Sequence, residues 1–331
     1  MAMTLADPFG RAVTQARISL NSSADCNFSC DFCHKEGIDE TSKPLITPEE
    51  IERIIRIMGL FGIDRIKLTG GEPMLRQDIV EIVERIRRAG VKEVSLSSNG
   101  TRLTKMAPAL KAAGLARVNI SLHSLNRERF KLITGADRLP DTLSGINASI
   151  DAGLLPVKIN TTLLRGVNHD EIGDLVEFSH SLGGGKTNVL QLIELVMTMP
   201  DYYEMYHYPL ASIEEDLKSQ ATVVTERVLH RRPRYELSNG VTVELVKPMH
   251  NSEFCMGCNR IRITHDGKFK PCLMRHDNHV DFLAAMRRGA TDKEIIELFK
   301  QAVSLREPFF KPNVEAVSRV HKPFSHEHTH L

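Results

Sequence analysis

Six cysteines make up the whole thiol content of this 331-residue chain, and they fall into two tight trios near opposite ends. These are Cys26, Cys30 and Cys33, then Cys255, Cys258 and Cys272. Thiolate sulfur binds soft metals, and four sulfurs complete a structural zinc or an iron–sulfur cluster. Two sites of three thiolates each leave one metal position that protein sulfur does not fill, which is where an outside ligand can bind. Two other readings of the first trio stand beside a cluster. Cys30-Asp31-Phe32-Cys33-His34 matches the pattern for covalent haem attachment, and His34 offers a fourth zinc ligand. Haem attachment normally needs export, yet residues 1–15 carry Asp7 and Arg11 and no apolar signal core.

Holding sulfurs at fixed positions needs a rigid frame, and the composition supports one. Apolar residues make up 41% and charged residues 26%, as in an ordinary globular protein, and the net charge of +1 argues against a general nucleic-acid binder. No apolar run reaches membrane-spanning length, so no membrane partner is expected. A reducing cytoplasm is the expected setting, where clustered cysteines bind metal rather than pair. Strand patterns fall at 17–20, 65–69, 93–97, 117–122, 157–164 and 188–195, alternating with helix patterns at 48–62, 76–90, 104–114, 142–153 and 170–183. Such units predict an α/β fold with a parallel sheet and helices outside it, curled into an incomplete (β/α)6 TIM-like barrel. Six strands leave a lateral opening, which the C-terminal part is free to cover.

Near residue 199 the pattern changes, which divides the chain into a barrel core at 10–198 and a C-terminal region at 199–324, with a disordered tail at 325–331. His326, His328 and His330 are read as part of that solvated tail. A polar, tyrosine-rich connector is expected at 201–208, then a helix at 212–220. Hairpin turns are expected at Ser238-Asn239-Gly240 and Asp266-Gly267, the second returning Cys272 toward Cys258. Helices at 282–288 and 292–305 close the chain.

The spacing Cys26-x3-Cys30-x2-Cys33 after a first strand, with Phe32 before the last cysteine, resembles the radical S-adenosylmethionine (SAM) superfamily. Thr69-Gly70-Gly71-Glu72-Pro73 resembles that superfamily's Gly-Gly-Glu segment, which holds the methionine amino group; alone, it reads as a strand-to-helix turn. Phe254-Cys255-x2-Cys258-Asn259-Arg260-Ile261-Arg262, followed by Asp266-Gly267-Lys268 and Pro271-Cys272-Leu273, is similar to the molybdenum-cofactor biosynthesis protein A family, GTP 3',8-cyclase. The similarity runs from about residue 10 to 307.

The resemblance implies a lyase with two 4Fe-4S clusters. The first, on Cys26, Cys30 and Cys33, would bind SAM and cleave it to a 5'-deoxyadenosyl radical. That radical removes the ribose 3' hydrogen of GTP, giving 3',8-cyclo-7,8-dihydro-GTP, while the second cluster, on Cys255, Cys258 and Cys272, anchors the guanine. Matched positions imply SAM contacts at Phe32, Gly71, Ser121 and Val196, and GTP contacts at Arg17, Lys67, Ser97, Lys158, Arg260 and Arg262. Many relatives have tyrosine at position 32 and arginine at position 67. Most of these positions are expected at or near the carboxyl ends of the strands. Strand alternation puts Arg260 and Arg262 on one face, and guanidinium forks suit phosphate oxygens. The implied partners are GTP, an electron donor such as ferredoxin or flavodoxin, and a downstream cyclic pyranopterin monophosphate synthase, with no nucleic-acid polymer and a homodimer left open. Many relatives finish in Gly-Gly, whereas this sequence finishes Glu327-His328-Thr329-His330-Leu331, which implies either that another segment substitutes or that the activity is altered, in efficiency more than in substrate identity.

Overall fold

In the computed structural model, which describes residues 4–38 and 45–311, the alternation of side chains along the strands decides where core and cavity lie. The first six strands are β1 (Gln15–Ser19), β2 (Arg65–Thr69), β3 (Glu93–Ser98), β4 (Arg117–Ser121), β5 (Val157–Thr162) and β6 (Asn188–Ile193), paired in parallel in chain order. Between them run α1 (Pro48–Gly59), α2 (Ile79–Arg88), α3 (Leu103–Ala112), α4 (Arg127–Thr134), α5 (Leu139–Asp151) and α6 (Ile172–Ser181). Ala16 and Ile18, Ile66 and Leu68, Val94 and Leu96, Val118 and Ile120, Val157 and Ile159 join the helices' apolar residues in one hydrophobic core. The residues between them, including Arg17, Lys67, Ser95, Asn119 and Lys158, turn to the other face and line a cavity. A closed eight-stranded barrel fills its inside with apolar side chains, whereas this sheet keeps its inner face polar. The inside is therefore a chamber rather than a core.

Local chemistry sets the helix ends. At α1, Thr47 Oγ1 accepts from the Glu50 N–H and the Glu50 carboxylate accepts from the Thr47 N–H, with Pro48 in the first turn. Ile51, Ile54, Ile55 and Met58 then share the face that α1 buries. α4 lies where the sequence reading assigned no element, and it closes on Gly135 in the left-handed conformation at φ 68°.

The C-terminal region contains α7 (Pro200–Tyr206), α8 (Ala211–Gln220), β7 (Ala221–Arg227), β8 (Arg232–Leu237), β9 (Thr242–Val246), α9 (Ser252–Met256), β10 (Arg260–Ile263), β11 (Lys268–Lys270), β12 (Val280–Asp281), α10 (Leu283–Arg287) and α11 (Asp292–Ser304). Beyond the six expected strands, β9 pairs in parallel with β6 and β10 with β1, so this region extends the same sheet at both edges. The order is β12-β11-β10-β1-β2-β3-β4-β5-β6-β9-β8-β7. Both expected hairpins are present, joining β8 to β9 and β10 to β11. The expected connector at 201–208 is instead largely the helix α7. Its Tyr202, Tyr203 and Tyr206 pack on Ile133, Leu164 and Leu195, so the tyrosines form an apolar face rather than a polar linker.

Segments from beyond both edges of the parallel strands touch, the turn before β8 on one side and α9 with Gly257 on the other. The turn before β8 places His230 and Arg231 at φ 63° and 46°, where the His230 N–H donates to Gly257 O (2.9 Å) and its ring stacks on Phe254 with centroids 4.0 Å apart. Residues 312–331 lie outside the described residues, including the expected tail with its three histidines and the final part of the region expected at 199–324. Among the described residues, no helix is long and apolar enough to cross a membrane.

Candidate active site

Every cluster, SAM and GTP position that the sequence singled out lines one cavity of about 400 Å³ on the inner face of the sheet. The first trio sits in the loop after β1. A tight turn joins it, with the Cys33 N–H donating to Cys30 O (3.0 Å), and backbone N–H groups of Phe28 and Lys35 donate to Cys26 Sγ and Cys33 Sγ at 3.4 Å each. Burial pushes the Cys30 thiol up to about 12, with Cys33 and Cys26 adding to the shift, so the three sulfurs sense one another. The second trio comes from α9 (Cys255), the loop between α9 and β10 (Cys258), and the segment after β11 (Cys272). Burial would raise the Cys258 thiol, but Arg306, Arg262 and Arg260 bring it below its ordinary range. Among the described residues no three Cys, His, Asp or Glu side chains converge on a single ion-sized point. Three thiolates in each trio supply the donor set of a cluster in which each thiolate takes a separate iron. His34 supports the same fit, because its Nδ1 already accepts from the Glu36 N–H (3.0 Å).

Two arginines brace the second trio. Arg11 donates to Cys255 O (2.9 Å) and Arg306 to Cys258 O (2.7 Å), and both pair with the buried Asp7 (2.8 and 3.0 Å).

The Gly-Gly-Glu segment has a different local reason from the one its ligand role suggested. A Cβ on Gly70 would lie 2.1 Å from Asn21 Oδ1, and one on Gly71 would lie 2.4 Å from Ser22 O and 2.5 Å from Asp25 O. The glycines therefore let the loop that leads into Cys26 press against the end of β2. The Glu72 carboxylate is buried and accepts from Ser98 Oγ (2.9 Å), the Asn99 N–H (2.8 Å) and the Met74 N–H (3.1 Å), tying the end of β2 to the end of β3. Phe32 meets His123 edge-on, with centroids 4.9 Å apart, and the Thr162 N–H donates to His123 Nδ1 (3.2 Å). Ser121 ends β4, Ser97 is near the end of β3, and Val196 follows β6.

The cations lie deeper than the strand ends where they were expected. Register sets Arg262, Arg17 and Lys67 side by side across β10, β1 and β2, at the middle of β1 and β2. Arg17 pairs with Glu36 (2.6 Å), and burial leads the causes that lower Arg17 and bring Lys67 well below the lysine range, with Arg17 and Arg260 adding repulsion to Lys67. Arg17 Nε and Arg262 Nε are buried donors without a hydrogen-bond partner. Lys158 instead pairs with the buried Glu244 (2.8 Å), which Arg232 also reaches (2.9 Å). Lysine and arginine outnumber carboxylates two to one among the lining residues, so the chamber suits a multiply charged anion. The sequence reading missed Glu36, Glu244, Arg227, Arg232, His123 and His230. Each matters through partners distant in the chain, so short spacing carries no signal of it.

Residues 20–179 match the Radical SAM superfamily model and residues 189–312 match Molybdenum Cofactor Synthesis C. A protein named "Probable GTP 3',8-cyclase" from Thermococcus kodakarensis is 48% identical over 314 residues, covering 93% of this chain and 100% of that relative. One of the same name from Thermoplasma volcanium is 45% identical and covers 95% of each. Among solved structures, Streptococcus suis SuiB bound to precursor peptide SuiA aligns with TM-score 0.64 at 16% identity, covering 91% of this chain and 67% of that one. A histidine-tagged anSMEcpe with bound AdoMet gives 0.62, also at 16%, covering 92% and 82%. Those two likenesses concern the fold alone. Near-full-length identity to named cyclases, with both family models in order, establishes that this chain belongs to the GTP 3',8-cyclase family of radical SAM enzymes.

Proposed function

We propose that the chamber is a two-cluster radical site that converts GTP to 3',8-cyclo-7,8-dihydro-GTP. One observation carries the reading: sulfur trios from opposite ends of the sequence open onto a single cation-rich cavity. Cys26, Cys30 and Cys33 hold the SAM-activating 4Fe-4S cluster, and Phe32, Gly71, Ser121 and Val196 border the SAM. Cys255, Cys258 and Cys272 would hold the second cluster, which would serve to anchor the guanine. Bound there, the first cluster with SAM supplies a reductively generated carbon radical. The chain's own part is positioning: Arg17, Lys67, Arg260 and Arg262 neutralise and orient the phosphates, Lys158 adds a cation on the opposite wall, and Ser97 offers a hydroxyl near the carboxyl ends. The meeting of His230 with Phe254 and Gly257 narrows the lateral opening and limits water. Residues 10–198 carry the radical chemistry in this reading, and 199–324 supply the substrate anchor.

The reading extends to its surroundings. A one-electron protein such as ferredoxin or flavodoxin supplies two electrons in turn, one to cleave SAM and one to reduce the cyclised radical, cyclic pyranopterin monophosphate synthase takes the product, and the cytoplasm keeps the thiols reduced. A homodimer is a question for hydrodynamic measurement. The test is anaerobic reconstitution followed by incubation with SAM, dithionite and GTP. About eight irons per chain, 5'-deoxyadenosine, and a chromatographically new nucleotide with the mass of GTP are expected, since the hydrogen atom lost to 5'-deoxyadenosine is replaced by one electron and one proton after ring closure. Stoichiometric zinc without iron would remove the enzyme reading, and an altered peptide in place of the nucleotide would make the chain a maturase.

A further inference from the structure

On the inner face of the sheet, register aligns Ser97, Asn119 and Lys158 across β3, β4 and β5, and all three line the chamber. Asn119, the middle one, is only 4% exposed, and its Oδ1 is a buried acceptor with no hydrogen-bond partner among the described residues. An unpaired buried acceptor is costly, so it marks a place where an incoming donor gains most.

A chain of side chains fixes which way the Asn119 amide points. Glu244 is fully buried, stays ionised beside Lys158 (2.8 Å) and Arg232 (2.9 Å), and can only accept. Gln191 therefore donates from Nε2 to Glu244 Oε1 (2.7 Å), which turns its own Oε1 toward Asn119. Asn119 answers with Nδ2, which lies 3.1 Å from Gln191 Oε1 and 3.5 Å from Asn160 Oδ1. Reversing that amide would set two oxygens face to face. The carbonyl oxygen is thus the end left over.

We propose that Asn119 Oδ1 accepts a hydrogen bond from a ribose hydroxyl of the nucleotide, which makes Asn119 a specificity-determining residue. This rests on the cyclase reading and deepens it, by adding the sugar to the groups that the chamber reads. Phosphate oxygens are acceptors, and a carbonyl oxygen would repel them. Guanine carries donors, but in that reading its anchor is the second trio, and the adjoining strand β10 lies four places from β4 in the sheet. The ribose is joined directly to the phosphates that Lys158, the register neighbour of Asn119, would meet, and its 2' and 3' hydroxyls are donors. SAM also carries a ribose, yet the β4 residue that borders SAM in this reading is Ser121, nearer the strand's end. A site built to bond a hydroxyl rejects the analogue that lacks it, because its own polar atom is then left unpaired.

The test is equilibrium binding of GTP, 2'-deoxyGTP and 3'-deoxyGTP to the anaerobic holoprotein with both clusters loaded. Wild type should bind GTP roughly tenfold more tightly than one of the two deoxynucleotides, which identifies the hydroxyl. Asn119→Ala should bring GTP down to the level of that deoxynucleotide while moving the deoxynucleotide itself less than about twofold. Asn119→Ser, whose hydroxyl can accept, should recover part of the loss. Gln191→Leu releases the Asn119 amide to turn, so it should narrow the discrimination with iron content unchanged. Equal wild-type affinity for all three nucleotides, or Asn119→Ala weakening all three alike, would overturn the assignment, as would a loss confined to SAM binding. Wild type that discriminates as expected but forms no cyclised product would overturn only the cyclase reading.

Discussion

Burial pushes the Cys30 thiol up to about 12, and a cluster ligand must be the thiolate, so iron has to displace its proton. Cys30→Ala should therefore abolish 5'-deoxyadenosine formation. Cys272→Ala should spare SAM cleavage uncoupled from product yet lose the cyclised nucleotide, with both quantities read by chromatography. Equal losses in the two variants would contradict separate roles. Glu244 gives a pH prediction. Burial alone would raise its pKa, but Arg232, Lys158 and Arg227 hold it at about 2, against an ordinary value of 4.5. A carboxyl depressed on folding contributes stability that is full above its unfolded pKa and lost as pH falls through the folded one. The denaturation midpoint of metal-free wild type should fall between pH 5 and 3. In Glu244→Gln it should start lower, because Lys158 loses its partner, and fall less steeply. Parallel slopes would refute the assignment. The cysteines and Arg260 and Arg262 were legible because their meaning lies in short spacing. Glu36 and Glu244 were not, since only the folded register brings Arg17, Lys158 and Arg232 to them.

Elements differ in what a single change would break. Gly71→Ala would drive a Cβ into the Ser22 and Asp25 carbonyls and displace the loop that carries Cys26. Iron analysis should then fall to roughly four per chain as the first cluster is lost, with the spectrum of the second retained. Thr47→Ala removes one half of the capping box of α1 and should cost about 1 kcal/mol in denaturant unfolding, with iron content unchanged. Strands β1 to β6 were readable because their outward residues are apolar and the helices between them have a clear 3.6-residue stripe. β7 was missed because Val223 and Val224 stand exposed on an edge strand, where burial imposes little pattern. α7 was missed because tyrosine counts as polar in a linear reading while its ring packs as an apolar surface.

For the molecule as a whole, pairing across the apparent boundary near residue 199 is the main result that linear reading could not supply. Which strand joins which edge depends on closure over more than two hundred residues, as between β1 and β10. A fragment ending at residue 198 would leave the outer edges of β1 and β6 without β10 and β9, so it should aggregate on size-exclusion chromatography. A stable monomeric fragment would mean that the first six strands suffice. The braces on the second trio carry a consequence for biosynthesis. Asp7 and Arg11 leave the ribosome long before Arg306, and together they secure the carbonyls of Cys255 and Cys258. A nascent polypeptide can present its first sulfur loop while translation continues, but the second nest gains its full bracing only after residue 306 has emerged. Maturation thereby acquires a direction, with the second sulfur trio becoming ready for loading last.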